Sequence, residues 1–127
     1  MGDDSNTHKI QTHMATKGRS ARIKGHQFER QMAEWWRDRG WDKCQTSRYE
    51  SKMLDDKKID LTNTHPFYCQ CKAVENLGSI HKVLGEMPQD SNINLVFHKK
   101  NRQGTVVAMT LDDFQELIDM LRTNKIL

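Results

Sequence analysis

The sequence predicts one α/β domain with a central mixed β-sheet flanked by helices, in the order α-β-β-β-α-β-β-α. Its 127 residues are enough for one hydrophobic core. Apolar residues recur at helical spacing near both ends of the domain, and short runs rich in valine, isoleucine and aromatic residues lie between them. Residues 1–19 are polar and basic without such a pattern, so we expect a flexible tail there and the domain in residues 20–127.

The first helix is predicted over residues 21–39. Phe28, Met32 and Trp36 recur every four residues and form one apolar side of this helix. Gly40 follows directly and is suited to end the helix in a left-handed conformation.

Three strands are expected next. A short strand is predicted over residues 41–48, and the charged stretch of residues 49–58 is expected to be a mobile loop or a weak hairpin. Residues 59–61 and 67–74 are predicted to pair as a β-hairpin around a turn at residues 63–66.

Alternate side chains of the strand predicted over residues 67–74 point to opposite faces of the sheet. One face carries Tyr68, Gln70 and Lys72. The other face carries the apolar residues Phe67, Cys69, Cys71 and Ala73. The polar side chains of Gln70 and Lys72 are therefore expected to point in the same direction.

The remaining elements follow from shorter patterns. A helix is predicted over residues 79–86, and two strands over residues 94–98 and 105–110, on either side of a basic turn. An amphipathic helix is predicted over residues 111–121, because two acidic residues occupy its first turn and apolar residues recur after them.

The net charge of +3 does not by itself diagnose a nucleic-acid-binding protein, so the distribution of charge matters more. Two basic runs contain no acidic residue. The first comprises Lys17, Arg19, Arg22 and Lys24, and the second comprises His98, Lys99, Lys100 and Arg102. Both runs are candidates for contact with phosphates, although solvated tails and loop tips have the same composition.

The three cysteines, Cys44, Cys69 and Cys71, indicate a cytoplasmic protein with reduced thiols, because their number is odd and no secretory signal precedes them. No long apolar run predicts a membrane span. Cys69, Cys71 and His65 also suggest zinc, but a Cys-x-Cys pair within a strand lacks the turn geometry of structural zinc sites.

Four residues from three predicted elements form a candidate catalytic site for phosphodiester hydrolysis: Glu29, Asp60, Gln70 and Lys72. Such a reaction needs a divalent metal, an activated water and usually a cation near that water. Asp60 and Gln70 offer oxygen ligands of the kind that Mg²⁺ prefers. Lys72 lies two residues beyond Gln70, and Glu29 borders the apolar side of the first helix.

The segment that begins at Asp60 resembles the core of PD-(D/E)XK nucleases, in which an acid precedes a strand of the form Gln/Glu-x-Lys. Here Asp60 is followed after nine residues by Gln70-Cys71-Lys72. The segment KGHQFER, residues 24–30, is similar to the Gly-x-x-x-Glu-Arg opening of archaeal-type Holliday junction resolvases. The segments QCKAVE, residues 70–75, and VFHKK, residues 96–100, also resemble phage resolvase-like proteins. The resemblance covers residues 17–121 and implies a restriction-endonuclease-like core.

This resemblance implies a role for each residue of the site. Asp60 would be the central ligand of Mg²⁺ or Mn²⁺, assisted by Glu29, Gln70 and the backbone carbonyl of Cys71. Lys72 would orient or activate the attacking water. The chain departs from the family where Gln70 replaces the usual acid, which leaves the site one negative charge short.

The resemblance also implies partners. The expected substrate is branched DNA such as a four-way junction, bound mainly through its phosphates by a two-fold homodimer, in the host cytoplasm if the chain is phage-encoded. Ser47 and Arg48 are further candidates for contact with the DNA backbone. Two alternatives stay open: another nuclease of the same fold with a repair, nicking or restriction-like function, and a non-catalytic DNA-binding protein.

Each site residue also has an ordinary structural explanation. Glu29 also fits a surface helix acid paired with Arg30 or Lys24, and Asp60 fits an acid beside a turn. Gln70 and Lys72 are types that often face solvent on a strand. Three neighbouring acids are expected to be solvated or to face DNA, because they lack strand register with Lys72: Glu50, Asp55 and Asp56.

Overall fold

A computed structural model of the chain describes the backbone of residues 2–127 and the side chains of residues 18–127. The Lys17 side chain therefore lies outside the described residues. The backbone of residues 2–19, for which a flexible tail was predicted, belongs to the first helix, which begins well before the predicted residue 21. The elements are α1 (Gly2–Asp38), α2 (Ser47–Glu50), α3 (Lys52–Asp56), β1 (Phe67–Lys72), α4 (Ile80–Gly85), β2 (Ile93–Lys100), β3 (Gly104–Ala108) and α5 (Leu111–Thr123). Among the described residues, no helix has both the length and the apolar character needed to cross a bilayer.

The sheet is mixed, as predicted. Its strand order is β1-β2-β3, with β1 parallel to β2 and β2 antiparallel to β3. The parallel pair places Gln70 beside Val96, and the antiparallel pair places Val96 beside Ala108. Parallel neighbours need a crossover connection, and α4 lies in the segment that supplies it.

The α/β class is confirmed, but two predictions for residues 41–58 are wrong. The strand predicted over residues 41–48 is replaced by one isolated bridge, between Thr46 and Leu61, and by the short helix α2. The stretch predicted as a mobile loop or weak hairpin contains the helix α3. Ser51 caps this helix by accepting a hydrogen bond from the Leu54 N–H at 3.3 Å.

The hairpin partner predicted over residues 59–61 is reduced to isolated contacts. The Asp60 N–H donates to the Cys69 carbonyl at 2.8 Å, so the segment does lie beside β1. On its other side the Ser47 N–H donates to the Asp60 carbonyl at 2.8 Å. The start of α2 interrupts this second ladder, so a regular strand does not develop.

The two faces of β1 enter separate apolar clusters, which confirms their predicted alternation. On one face, α1 and α5 cover a core that includes Phe28, Trp36, Cys69, Cys71 and Phe97. On the opposite face, α4 covers a smaller cluster of Leu84, Met87 and Val96, to which Tyr68 adds. The sheet is therefore flanked by helices on both faces.

The end of α1 is fixed by the turn predicted at Gly40. Gly40 has a φ of +110°, a conformation that favours glycine. The Trp41 N–H then donates to the Trp36 carbonyl at 3.2 Å, which brings the two indole rings edge to face at 4.8 Å. Trp36 also lies 5.5 Å from Phe67 and 6.2 Å from Phe97, so these aromatic rings hold α1 against the sheet.

Replacing Phe97 by alanine should lower the free energy of unfolding by about 3–5 kcal/mol, because it leaves a cavity between α1 and β2. The matched control is Phe114→Ala on α5, where the side chain is 48% exposed and much less apolar contact is lost. Urea denaturation followed by circular dichroism measures both. Equal losses in the two variants would contradict the position of the core.

Candidate active site

Asp60 is held at the edge of β1 by hydrogen bonds from its neighbours. The Cys71 N–H donates to its Oδ2 at 2.8 Å, and the Asp60 backbone is bonded to Cys69 on one side and to Ser47 on the other. Among the described residues, Oδ2 is the only carboxylate oxygen of Asp60 that accepts a hydrogen bond. The side chain is thus oriented while its second oxygen stays available to a ligand.

Burial raises the pKa of the Asp60 carboxyl to about 6. The Cys71 N–H opposes this shift, the negative charges of Glu29 and Asp55 add to it, and the positive charge of Lys72 lowers it. These influences show that Glu29 and Lys72 are electrostatic neighbours of Asp60. The structure therefore brings three of the four predicted catalytic residues together.

Glu29 is buried on α1 and forms an ion pair with Arg48 on α2. The Nη2 of Arg48 lies 3.2 Å from Oε1 of Glu29, and the Nε donates to Oε2 at 3.4 Å. The hydrogen bond from Arg48 to Glu29 also raises the pKa of the guanidinium. The partner of Glu29 is therefore Arg48, rather than the Arg30 or Lys24 that helix spacing suggested.

Gln70 has a buried side chain whose Oε1 accepts no hydrogen bond from any described residue. A buried oxygen without a donor carries a desolvation cost of about 1–3 kcal/mol. A bound cation would remove this cost. Gln70 shares its strand face with Tyr68 and Lys72, which is the face of β1 opposite to the one that α1 covers.

The donor types available here fit a hard divalent cation. They are carboxylate oxygens of Asp60 and Glu29, the amide oxygen of Gln70 and the backbone carbonyl of Cys71. No group of three histidine, cysteine, aspartate or glutamate residues in the described part of the chain is arranged to hold a metal. A metal at this site would therefore depend on the neutral oxygens of Gln70 and the backbone.

The cysteines are suited to packing rather than to zinc binding. Cys44, Cys69 and Cys71 are all free and buried. Burial raises the pKa of Cys44 to about 11, and it also raises the pKa of Cys69 and of Cys71 well above the ordinary value of a thiol. Zinc binds thiolates, which such pKa values disfavour.

Lys24, the last residue of the first basic run, lies beside the β2–β3 turn that carries the second run. The Nζ of Lys24 donates to Oδ1 of Asn101, and the Nζ of Lys99 lies 5.9 Å from the centre of the Phe28 ring. Four further candidates for contact with DNA occupy exposed or half-buried positions: Arg19, Arg22, Lys100 and Arg102.

Ser47 is fully buried, so its expected contact with DNA has no basis in this structure. Its backbone N–H is bonded to Asp60, which turns the side chain into the interior. Arg48, the next residue, has a side chain that is 47% exposed, and it reaches both Glu29 and solvent. Of the two predicted contacts on α2, Arg48 alone is placed to meet a phosphate.

The sequence-based site omitted several residues that surround Glu29. An open depression of about 330 Å³ is lined by His26, Glu29, Arg30, Thr46, Arg48 and Tyr49. The spacing of His26 and Arg30, four residues apart on α1, was a signal that both lie on one side of the helix. The approach of α2 to that side had no comparable signal, because it depends on the bonds at Asp60.

Comparison with known proteins gives no information about the function of this chain. The chain matches no model of a protein family, no characterised protein and no solved structure at a significant level. Function is therefore assigned from the arrangement of Glu29, Asp60, Gln70 and Lys72 and from the sequence motif that they form.

In EDTA, the free energy of unfolding should fall as the pH rises from about 4 to about 6, by up to about 3 kcal/mol, through Asp60 alone. The folded protein holds the Asp60 proton more tightly than the unfolded chain does. The stability from this group is therefore complete below about pH 4 and is lost as the pH passes through the raised pKa of about 6.

Asp60→Asn should remove this component, whereas Asp56→Asn, which changes an exposed carboxyl, should keep it. Urea denaturation at a series of pH values measures the difference between each variant and the wild type. A difference for Asp60→Asn that does not change with pH would contradict the raised pKa.

Proposed function

We propose that the chain is a divalent-metal-dependent DNA endonuclease of the PD-(D/E)XK type, and that branched DNA is its preferred substrate. The observation that carries this proposal is the position of Asp60: a half-buried carboxylate, oriented by the Cys71 N–H, whose pKa responds to the charges of Glu29 and Lys72. The orphaned oxygen of Gln70 supports it further, because a bound cation would supply the partner that no described residue provides.

Asp60, Gln70, Glu29 and the Cys71 carbonyl would hold the metal ion. When bound, Mg²⁺ or Mn²⁺ would neutralise charge that develops on the phosphate and lower the pKa of a water molecule. The contribution of the chain is orientation: the Cys71 N–H fixes Asp60, and β1 fixes Gln70 and the Cys71 carbonyl.

Lys72 would hold the attacking water and stabilise negative charge near it. It projects from the same face of β1 as Gln70, and its charge already influences the carboxyl of Asp60. A lysine is suited to this role, because its ammonium group donates several hydrogen bonds in different directions.

Arg48 would bind a non-bridging phosphate oxygen. Its Nε and Nη2 are bonded to Glu29, which fixes the plane of the guanidinium group. Among the described residues, Nη1 of Arg48 has no acceptor and is free for a phosphate. The ion pair thus places a positive charge at the site without a second metal ion.

A non-catalytic DNA-binding protein is the second candidate. Two features favour this candidate, because they make the site less acidic: Gln70 is neutral, and both carboxylate oxygens of Glu29 are bonded to Arg48. Asp60 is then the only one of the four site residues with an unpaired negative charge. Measurement of cleavage separates the two candidates.

The first test is cleavage of a labelled four-way junction beside linear duplex of the same sequence, with Mg²⁺, Mn²⁺ or EDTA. We expect paired symmetric nicks in the junction that require metal. Asp60→Ala and Lys72→Ala should each reduce the rate by at least about 100-fold, because each removes charge that stabilises the reaction, and should leave DNA binding in EDTA intact.

Asp56→Ala and Lys57→Ala are matched controls, since each removes the same charge from an exposed position near α3. Cutting of both substrates would indicate a general nuclease of this fold. Binding without cutting under every metal condition would support the non-catalytic protein, and unchanged turnover in one variant would remove that residue from the mechanism.

Replacing Gln70 by glutamate should strengthen metal binding, because it restores a negative charge to a buried metal ligand. The Mg²⁺ concentration for half-maximal activity, and for half of the metal-induced rise in melting temperature, should fall by about tenfold, or about 1.4 kcal/mol. Gln103→Glu, at an exposed position, should change neither. If Gln70→Glu leaves both midpoints unchanged, Gln70 is not a metal ligand.

A further inference from the structure

A row of basic residues follows one side of α1. Successive members are three, four, four and seven residues apart, which keeps them on one side of a helix. The row comprises Arg19, Arg22, His26, Arg30 and Arg37, and we call it the α1 basic row. It lies away from the side that Phe28, Met32 and Trp36 bury in the core.

The α1 basic row passes directly beside the candidate active site. Arg30 lines the depression of about 330 Å³ that contains Glu29 and Arg48. It also lines a second depression, of about 230 Å³, that contains Arg37. Tyr49 lines both depressions, so this residue stands where they adjoin.

The Tyr49 side chain is 82% exposed, which is unusual for a large aromatic residue. It belongs to neither of the apolar clusters formed by the described residues. Exposed aromatic rings among positive charges are the means by which proteins stack on nucleic-acid bases. The bases of a duplex already stack on each other, so a tyrosine at this position can be used only by an unpaired nucleotide.

We propose that the α1 basic row and Tyr49 bind an unpaired DNA strand that leads to the site at Asp60. Arg30 contacts a phosphate of this strand, and the Tyr49 ring stacks on a base beside it. The inference rests on the proposed function for the choice of DNA, and it goes further by naming the state of the strand next to the cleavage site.

The dimensions agree with a single strand. From Arg19 to Arg37 the helix rises by about 27 Å. At about 3.4 Å for each stacked nucleotide, this length accommodates about eight nucleotides. A single row of cations suits one phosphate backbone, and oligonucleotide sites of about 4–16 nucleotides are usual for single-strand-binding surfaces.

The experiment measures binding in EDTA, where no cleavage occurs. Fluorescence anisotropy is recorded with a labelled single strand of about 12 nucleotides and with the corresponding duplex. Tyr49→Ala should weaken binding of the single strand by about 5–100-fold, the usual range for the loss of one base stack, and leave duplex binding unchanged. Tyr49→Phe should retain the affinity, because it keeps the ring.

Two controls test whether the effect belongs to this surface. Met53→Ala removes another exposed apolar side chain from the adjacent helix α3, and it should leave single-strand binding unchanged. Arg30→Ala should weaken single-strand binding and reduce the slope of log affinity against log salt by about 0.7, the value for one phosphate contact. Arg122→Ala, on α5, should change the slope less.

Stacking itself is followed with a strand that carries 2-aminopurine at one position. Wild-type protein should quench its fluorescence and Tyr49→Ala should not, because quenching requires ring contact. Equal weakening of single-strand and duplex binding by Tyr49→Ala, or no weakening of either, would overturn the proposal.

The two proposals fail in different ways. A protein that cleaves DNA with metal but whose single-strand binding does not depend on Tyr49 retains the proposed function and loses this inference. A protein that binds single strands through Tyr49 but never cleaves DNA retains the inference and loses the nuclease function.

Discussion

The hydrogen bonds of Asp60 hold together the parts of the molecule that carry its chemistry. Its backbone N–H and its carboxylate are bonded to Cys69 and Cys71 on β1, and its carbonyl accepts from Ser47 at the start of α2. Because α2 is anchored in this way, Arg48 reaches Glu29 on α1. One residue thus connects β1, α2 and α1, although none of these elements pairs with it in a regular ladder.

The hydrogen bonds of Asp60 hold its carboxyl in a place where ionisation costs free energy. Burial opposes the ionised form of Asp60, and Glu29 and Asp55 oppose it further, while Lys72 offsets only part of the effect. The unpartnered oxygen of Gln70 adds a second cost in the same region. A carboxyl whose pKa is raised by burial and by neighbouring charges is a feature that clusters at functional sites.

Elements set by local pattern were predictable from the sequence, whereas residues 41–61 were not. The turn at Gly40 and the faces of β1 follow from spacing and glycine chemistry. By contrast, α2 and α3 are only four and five residues long, and their positions depend on bonds between Ser47 and Asp60. Asp60, Gln70 and Lys72 were recognisable from a motif. The pairing of Glu29 with Arg48 joins residues 19 apart in sequence, and no pattern indicated it.

The charge balance of the site has a consequence for the proposed reaction. Glu29 and Asp60 oppose Lys72 and Arg48, so the free site carries little net charge with which to attract Mg²⁺. A DNA phosphate would pair with Arg48 and supply both a negative charge and an oxygen ligand. Metal and DNA should therefore strengthen each other's binding, because each compensates a charge that the other leaves unbalanced. A site with Gln70 thus gives up affinity for free metal and depends on the substrate to complete it.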